Sequence, residues 1–109
     1  MPYAAGLEKK GTGTLTITDT DSITAADGTQ DNALRGSLTA TGCQGAGIGS
    51  RGNENATAEN ITIEGNAYVK AYDQTSASGI GGGYKGNAKN IIIRDNAYVV
   101  AKGDGAGIG

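Results

Sequence analysis

Asn60-Ile61-Thr62-Ile63-Glu64-Gly65-Asn66-Ala67-Tyr68-Val69-Lys70-Ala71 is nearly repeated as Asn90-Ile91-Ile92-Ile93-Arg94-Asp95-Asn96-Ala97-Tyr98-Val99-Val100-Ala101, every residue 30 positions from its match. A period between about 20 and 50 residues marks a repeat array. Within each copy apolar and polar residues alternate, as they do along a strand with one face buried. Ile61, Ile63, Ala67, Val69 and Ala71 then point inward, while Thr62, Glu64, Tyr68 and Lys70 point outward. Gly65-Asn66 and Asp95-Asn96 fall at the corners, where a positive φ is tolerated best by Gly, Asn and Asp.

The repeat extends in both directions. Gly45-Ala46-Gly47-Ile48-Gly49 recurs as Ser78-Gly79-Ile80-Gly81-Gly82 and as Gly105-Ala106-Gly107-Ile108-Gly109, placing Ile48, Ile80 and Ile108 at intervals of 32 and 28 residues. Gly13-Thr14-Leu15-Thr16-Ile17-Thr18 matches the Ile-x-Ile strand, but Ile17 precedes Ile63 by 46 residues, so the first repeat carries an insertion around residues 19–36. Ser37-Leu38-Thr39-Ala40 fits the next strand better than Ser22-Ile23-Thr24-Ala25, because Leu38, Val69 and Val99 are 31 and 30 residues apart. These offsets predict an all-β chain, a short right-handed parallel β-helix (β-solenoid) of about three coils with ~30 residues each. Residues 1–12 read as an N-terminal extension and residues 13–109 as the single solenoid domain. The sequence stops within a coil, which predicts a fragment of a longer array. Its uncapped end, bearing Ile93, Val99 and Ile108, is open to end-to-end self-association.

The composition agrees. The chain has 109 residues, 20 of them glycine, and no Phe or Trp, so its core must come from Ile, Val, Leu and Ala. Such side chains suit a narrow interior where like residues stack at the ~4.8 Å strand spacing. The net charge is −2 and no basic run stands out, so the footprint of a nucleic-acid binder is absent. No apolar stretch approaches the ~20 residues of a membrane span, and Met1–Gly6 lacks the parts of a signal peptide. Cys43, the single cysteine, has no partner for an internal disulfide.

With no histidine, a Ser-His-Asp or Cys-His site is ruled out. Carboxylate-pair hydrolysis or Ca²⁺-assisted lyase chemistry is what remains for an enzyme. Glu64 and Arg94 share one outward slot in successive repeats and read as an exposed ion pair, so a non-catalytic role is expected, with a polysaccharide lyase-like enzyme as the third choice. Asp19, Asp21, Asp27 and Asp31 in the insertion are candidate oxygen ligands for Ca²⁺, although Asp-Gly, Asp-Thr and Asp-Asn are equally turn chemistry. Asn60 over Asn90 and Asn66 over Asn96 should form hydrogen-bonded ladders. Tyr68 and Tyr98 repeat in an outward slot, with Lys70 beside them and Lys102 at the strand's end. They read either as a platform for sugar rings or as a cross-strand pair that stabilises the sheet. Tyr72 and Tyr84 are expected in adjoining loops, widening the patch. A Thr-x-Thr ice-binding array begins at Thr14-x-Thr16-x-Thr18 and does not persist into Ile61-Thr62-Ile63.

Leu15-Thr16-Ile17-Thr18, Leu38-Thr39-Ala40-Thr41-Gly42, Gly45-Ala46-Gly47-Ile48-Gly49 and Asn60 to Ala71 resemble the Gly-Ala-Gly-Ile-Gly repeats of large secreted surface proteins of anaerobic and gut bacteria. The resemblance covers roughly residues 13–109. It implies an extracellular or cell-surface, non-catalytic β-helix whose partner is a polysaccharide or cell-surface glycan, with a purely structural stalk that binds a protein as the alternative. The motif encodes coil geometry, so no functional residue is carried over. This sequence departs from the pattern at Gly65-Asn66 and Asp95-Asn96, where the family has Gly-Gly corners, and at Ser50-Arg51-Gly52, where it has a glycine tract.

Overall fold

The computed structural model describes residues 4–52 and 56–109. Strands β1 (Leu7–Glu8), β2 (Leu15–Asp19), β3 (Ser37–Gly42), β4 (Ile48–Gly49), β5 (Thr57–Gly65), β6 (Tyr68–Asp73), β7 (Ile80–Gly81), β8 (Asn87–Ile93) and β9 (Tyr98–Lys102) follow in order. They form three parallel three-stranded sheets, β1-β4-β7, β2-β5-β8 and β3-β6-β9. The chain therefore visits the three sheets in rotation, an all-β arrangement compatible with a β-solenoid.

Register follows the sequence repeat. Leu15, Ile61 and Ile91 are Cα partners, as are Ile17, Ile63 and Ile93 in the second sheet and Leu38, Val69 and Val99 in the third. Ile48 pairs with Ile80, which bridges on to Ile108. Shifting any strand by one residue would turn its aliphatic row to solvent, so burial fixes this register. The buried core is correspondingly aliphatic: Ile48, Ile61, Ile63, Val69, Ala71 and Ile80 are fully enclosed. Thr62, expected to face solvent, is also buried; it lies between its register partners Thr16 and Ile92 in the middle strand of its sheet.

Asparagine controls the phase of the long strands. Asn60 and Asn90 adopt left-handed φ values of 59° and 56°, a conformation Asn accepts more readily than most residues. The bulge lets Ala58 and Ile61, three residues apart, both face the core. Each Asn is held by the ladder expected: Asn90 Nδ2 donates to Asn60 Oδ1 at 2.7 Å, and Asn60 Nδ2 donates to the Thr12 carbonyl at 2.7 Å. A second ladder runs from Asn96 Nδ2 to Asn66 Oδ1 (3.1 Å) and from Asn66 Nδ2 to the Asp21 carbonyl (2.7 Å).

Glycine closes the remaining vertex. A Cβ on Gly6, Gly47 or Gly79 would sit 2.6, 2.5 and 2.6 Å from the backbone nitrogens of Thr41, Tyr72 and Lys102, which are themselves register partners. The first strand of each set thus presses main chain against main chain on the third sheet. Gly6 belongs to this series, so residues 6–8 of the expected extension over residues 1–12 join the first sheet, while residues 1–3 lie outside the described residues. Leu7–Glu8 is a strand paired with Ile48–Gly49, and Leu7 N–H donates to the Gly47 carbonyl at 2.9 Å. The physical reason is that Ala5-Gly6-Leu7 supplies the small-Gly-aliphatic pattern of Ala46-Gly47-Ile48. Residues 20–36 leave the stack between β2 and β3, with an antiparallel bridge Thr24–Gln30 and a 3-10 turn, Asn32–Leu34.

Gly47→Ala should lower the unfolding free energy by about 1–3 kcal/mol through overpacking. Gly13→Ala, where a Cβ meets nothing within 4 Å, should be neutral or stabilising by up to about 1 kcal/mol. Urea titrations of the two variants test this, and equal effects would contradict the proposed vertex.

Candidate functional site

Strand alternation makes the outward face of β3-β6-β9 a grid of three rows. Its register partners are Ser37, Tyr68 and Tyr98; Thr39, Lys70 and Val100; and Thr41, Tyr72 and Lys102. Steps of ~4.8 Å between strands and ~6.6 Å between alternate residues give a flat patch of about 10 by 13 Å. It holds two lysines and three tyrosines but no carboxylate, although the chain as a whole has a net charge of −2. Lys70 and Lys102 therefore make this face locally basic.

Tyr68 and Tyr98 meet as a stacked pair, ring centroids 4.5 Å apart and planes inclined by 26°. Lys70 Nζ lies 5.2 Å from the Tyr68 centroid, and the Arg35 guanidinium lies 5.9 Å from that of Tyr98. The ring faces are thus engaged with each other and with cations, so the flat platform expected for a sugar ring is altered. Tyr72 corrects a second expectation. It lies within β6, not in the adjoining loop expected from the sequence, and occupies an outward slot beside Lys102.

Arg35 is the residue that sequence reading missed. Its Nη1 donates to the carbonyls of Asn66 (3.1 Å) and Asn96 (2.6 Å), while Nε donates to Asn32 Oδ1 at 2.9 Å. One guanidinium therefore ties the root of the excursion to two successive corners, at the rim of the tyrosine row. The available signal was that Arg35 is the sole cation in residues 19–36.

Asp19, Asp21, Asp27 and Asp31 are not gathered into a Ca²⁺ site, and no cluster of three metal-ligating side chains occurs among the described residues. Backbone and hydroxyl donors engage three of these carboxylates separately. Asp19 accepts from the Gly36 (2.5 Å) and Asp21 (2.9 Å) N–H groups, Asp27 from the N–H and hydroxyl of Thr29, and Asp31 from the Ala33 N–H. The backbone donors Gly36 and Asp21, with the nearby Arg35 charge, hold the Asp19 carboxyl below its ordinary value. The Thr29 hydroxyl and N–H do the same for Asp27.

On the neighbouring sheet, Arg94 Nη2 meets Glu64 Oε1 at 2.6 Å, an exposed ion pair in the shared outward slot; the Glu64 carboxylate raises the Arg94 pKa. Lys9 is largely buried beside a shallow cleft lined by Glu8, Lys10, Ser50 and Arg51. Its ammonium donates to the carbonyls of Lys10 and Gly11.

No protein-family model, no curated protein and no solved structure matches the chain. The likeness to Gly-Ala-Gly-Ile-Gly surface proteins therefore rests on the sequence motifs alone.

Asp19 provides a pH test. Because its folded pKa lies below the unfolded value near 3.8, its stabilisation is present above that value and is lost as pH falls through the folded pKa. Asp19→Asn should lower Tm near neutrality and show a smaller further drop on acidification than the parent chain, measured by thermal melts from about pH 6 to about pH 2. An acid limb unchanged by the substitution would remove Asp19 as its source.

Proposed function

We propose that this chain is a non-catalytic extracellular or cell-surface β-solenoid module, about three right-handed coils of ~30 residues, that binds an extended polysaccharide. The observation that carries this reading is the carboxylate-free grid on the outward face of β3-β6-β9, with Lys70, Lys102 and Tyr72 projecting together. A polymer gains from repeated weak contacts along a flat surface, and parallel strands supply them at fixed intervals. The tyrosine faces of the 68–98 stack are engaged, so ring edges and hydroxyls serve as contacts, while the lysines favour sugars bearing carboxylates. A non-catalytic role is supported by the absence of histidine and by the engagement of Glu64 with Arg94.

A second reading, a stalk or array element that binds a protein partner, draws on the asparagine ladders and the Tyr68–Tyr98 stack, which stiffen the stack whatever it binds. Affinity electrophoresis in gels containing neutral or uronic-acid polysaccharides separates the two. The binding reading expects retention by uronic-acid polymers and a loss of about tenfold, ~1.4 kcal/mol, in Lys70→Ala/Lys102→Ala with the fold intact. Absence of retention by any polymer would leave the stalk reading standing. Release of unsaturated sugar products in the presence of Ca²⁺ would instead point to a lyase.

A further inference from the structure

We propose that the cleft between the first and second sheets, lined by the Lys9 ammonium with Lys10 and Arg51 beside it, binds a tetrahedral oxyanion, a phosphate or sulfate group. This inference is independent of the polysaccharide reading. The cleft is built by the segments that leave β1 and β4 and by the start of β5, and it shares no residue with the outward grid of β3-β6-β9.

The sequence departs from its own repeat at this place. Leu7-Glu8-Lys9-Lys10-Gly11 aligns with Ile48-Gly49-Ser50-Arg51-Gly52, and the next copy runs Ile80-Gly81-Gly82-Gly83. The backbone keeps this register past the strand ends: Lys9 N–H donates to the Gly49 carbonyl at 2.7 Å, and Ser50 N–H to that of Gly81 at 3.0 Å. Lys9 thus fills a slot that the other two copies give to Ser50 and Gly82, both small and buried. It is itself only 9% exposed. A lysine is rarely enclosed to this degree without a counter-charge, yet Lys9 Nζ donates to the neutral carbonyls of Lys10 (3.2 Å) and Gly11 (2.9 Å) and forms no ion pair among the described residues. Those two bonds fix the direction of the ammonium and leave one of its three N–H groups to donate elsewhere.

Neighbouring charges add to that of Lys9. Lys10 and Arg51 follow Lys9 and Ser50, so the same register sets them one repeat apart, at about the 4.8 Å strand spacing, where like charges repel. Glu8 is the one carboxylate among the described residues of the cleft, and it lies 3.4 Å from Lys10 Nζ on an exposed rim. Arg51 is exposed, and its side chain forms no ion pair or hydrogen bond among the described residues. The cleft therefore gathers three cations against one carboxylate, although the whole chain has a net charge of −2. A concave site lined by one sign of charge concentrates counter-ions.

Donor chemistry and space select the ligand class. A cleft of about 300 Å³ admits an oxyanion together with several waters, each of which takes about 30 Å³. Lys9 offers a point charge with one N–H to spare, and Arg51 offers paired N–H donors that match two oxygens of a phosphate or sulfate. A carboxylate has two oxygens, both of which the guanidinium engages. A tetrahedral group keeps further oxygens for the lysines, so it alone uses all three cations. The group arrives either as a free ion or as an ester on a larger molecule, and the recognition chemistry is the same.

Titration of the isotope-labelled chain with inorganic phosphate and with sulfate, at an ionic strength held constant with chloride, reads binding from amide shifts in nuclear magnetic resonance spectra. Saturable shifts are expected at Lys10, Gly11 and Arg51. Arg51→Gln should weaken binding by about tenfold, and Lys9→Met should abolish it. Where circular dichroism shows that Lys9→Met fails to fold, Arg51→Gln combined with Lys10→Gln takes its place and should abolish binding too. A sulfated monosaccharide compared with inorganic sulfate distinguishes the sources: tighter binding of the ester points to a group carried on a larger molecule, and equal or weaker binding points to the free ion. Shifts that do not saturate, that chloride reproduces, or that persist unchanged in these variants overturn the proposal.

Discussion

Main chain pressed against main chain at Gly6, Gly47 and Gly79 is the contact on which the remaining geometry depends. With any larger residue there, the first sheet would stand off from the third, and the aliphatic rows between them would lose the contacts that enclose Ile48 and Ile80. The same closeness explains how a chain without Phe or Trp fills its interior. Ile, Val, Leu and Ala are sufficient because the space is narrow.

Once the sheets are in register, each exposed row inherits a fixed set of neighbours, and this shapes the candidate site. Equivalent residues are brought within stacking distance, which gives the asparagine ladders, the Glu64–Arg94 pair and the Tyr68–Tyr98 stack. Stacking strengthens the sheet but turns the aromatic faces along the stack, away from a ligand lying on the surface. The chemistry left outward is that of ring edges, hydroxyls and ammonium groups. Tyr72 and Lys102 thereby gain weight relative to the more obvious tyrosine pair.

The excursion over residues 20–36 shows how a repeat stack absorbs extra chain. The Asp27 and Asp31 carboxylates are engaged by their own turns, and Arg35 helps attach the excursion to the stack by reaching the corner carbonyls of two successive repeats. An Asp-rich composition suggested a cation site; backbone N–H groups, local ones for Asp27 and Asp31 and that of Gly36 across the base of the excursion for Asp19, take up the same oxygens.

The amino-acid sequence alone determined whatever depends on translation by one repeat. The 30-residue spacing identified the mates of Ile61, Ile63 and Val69, the Asn60–Asn90 and Asn66–Asn96 ladders and the Glu64–Arg94 pair, because identical residues at a constant offset must superpose in parallel strands. The offset of Leu38 likewise selected β3 over the competing Ser22–Ala25 segment. Tertiary structure decided what lies outside that periodicity. Leu7 joined the first sheet through a shortened version of the glycine motif, and Tyr72 stayed in its strand because β6 continues to Asp73. Arg35 found carbonyls 31 and 61 residues away, and Thr62 was covered by its register neighbours. Each of these outcomes depends on which atoms come within a few ångströms after the sheets assemble, a distance that spacing along the chain does not encode.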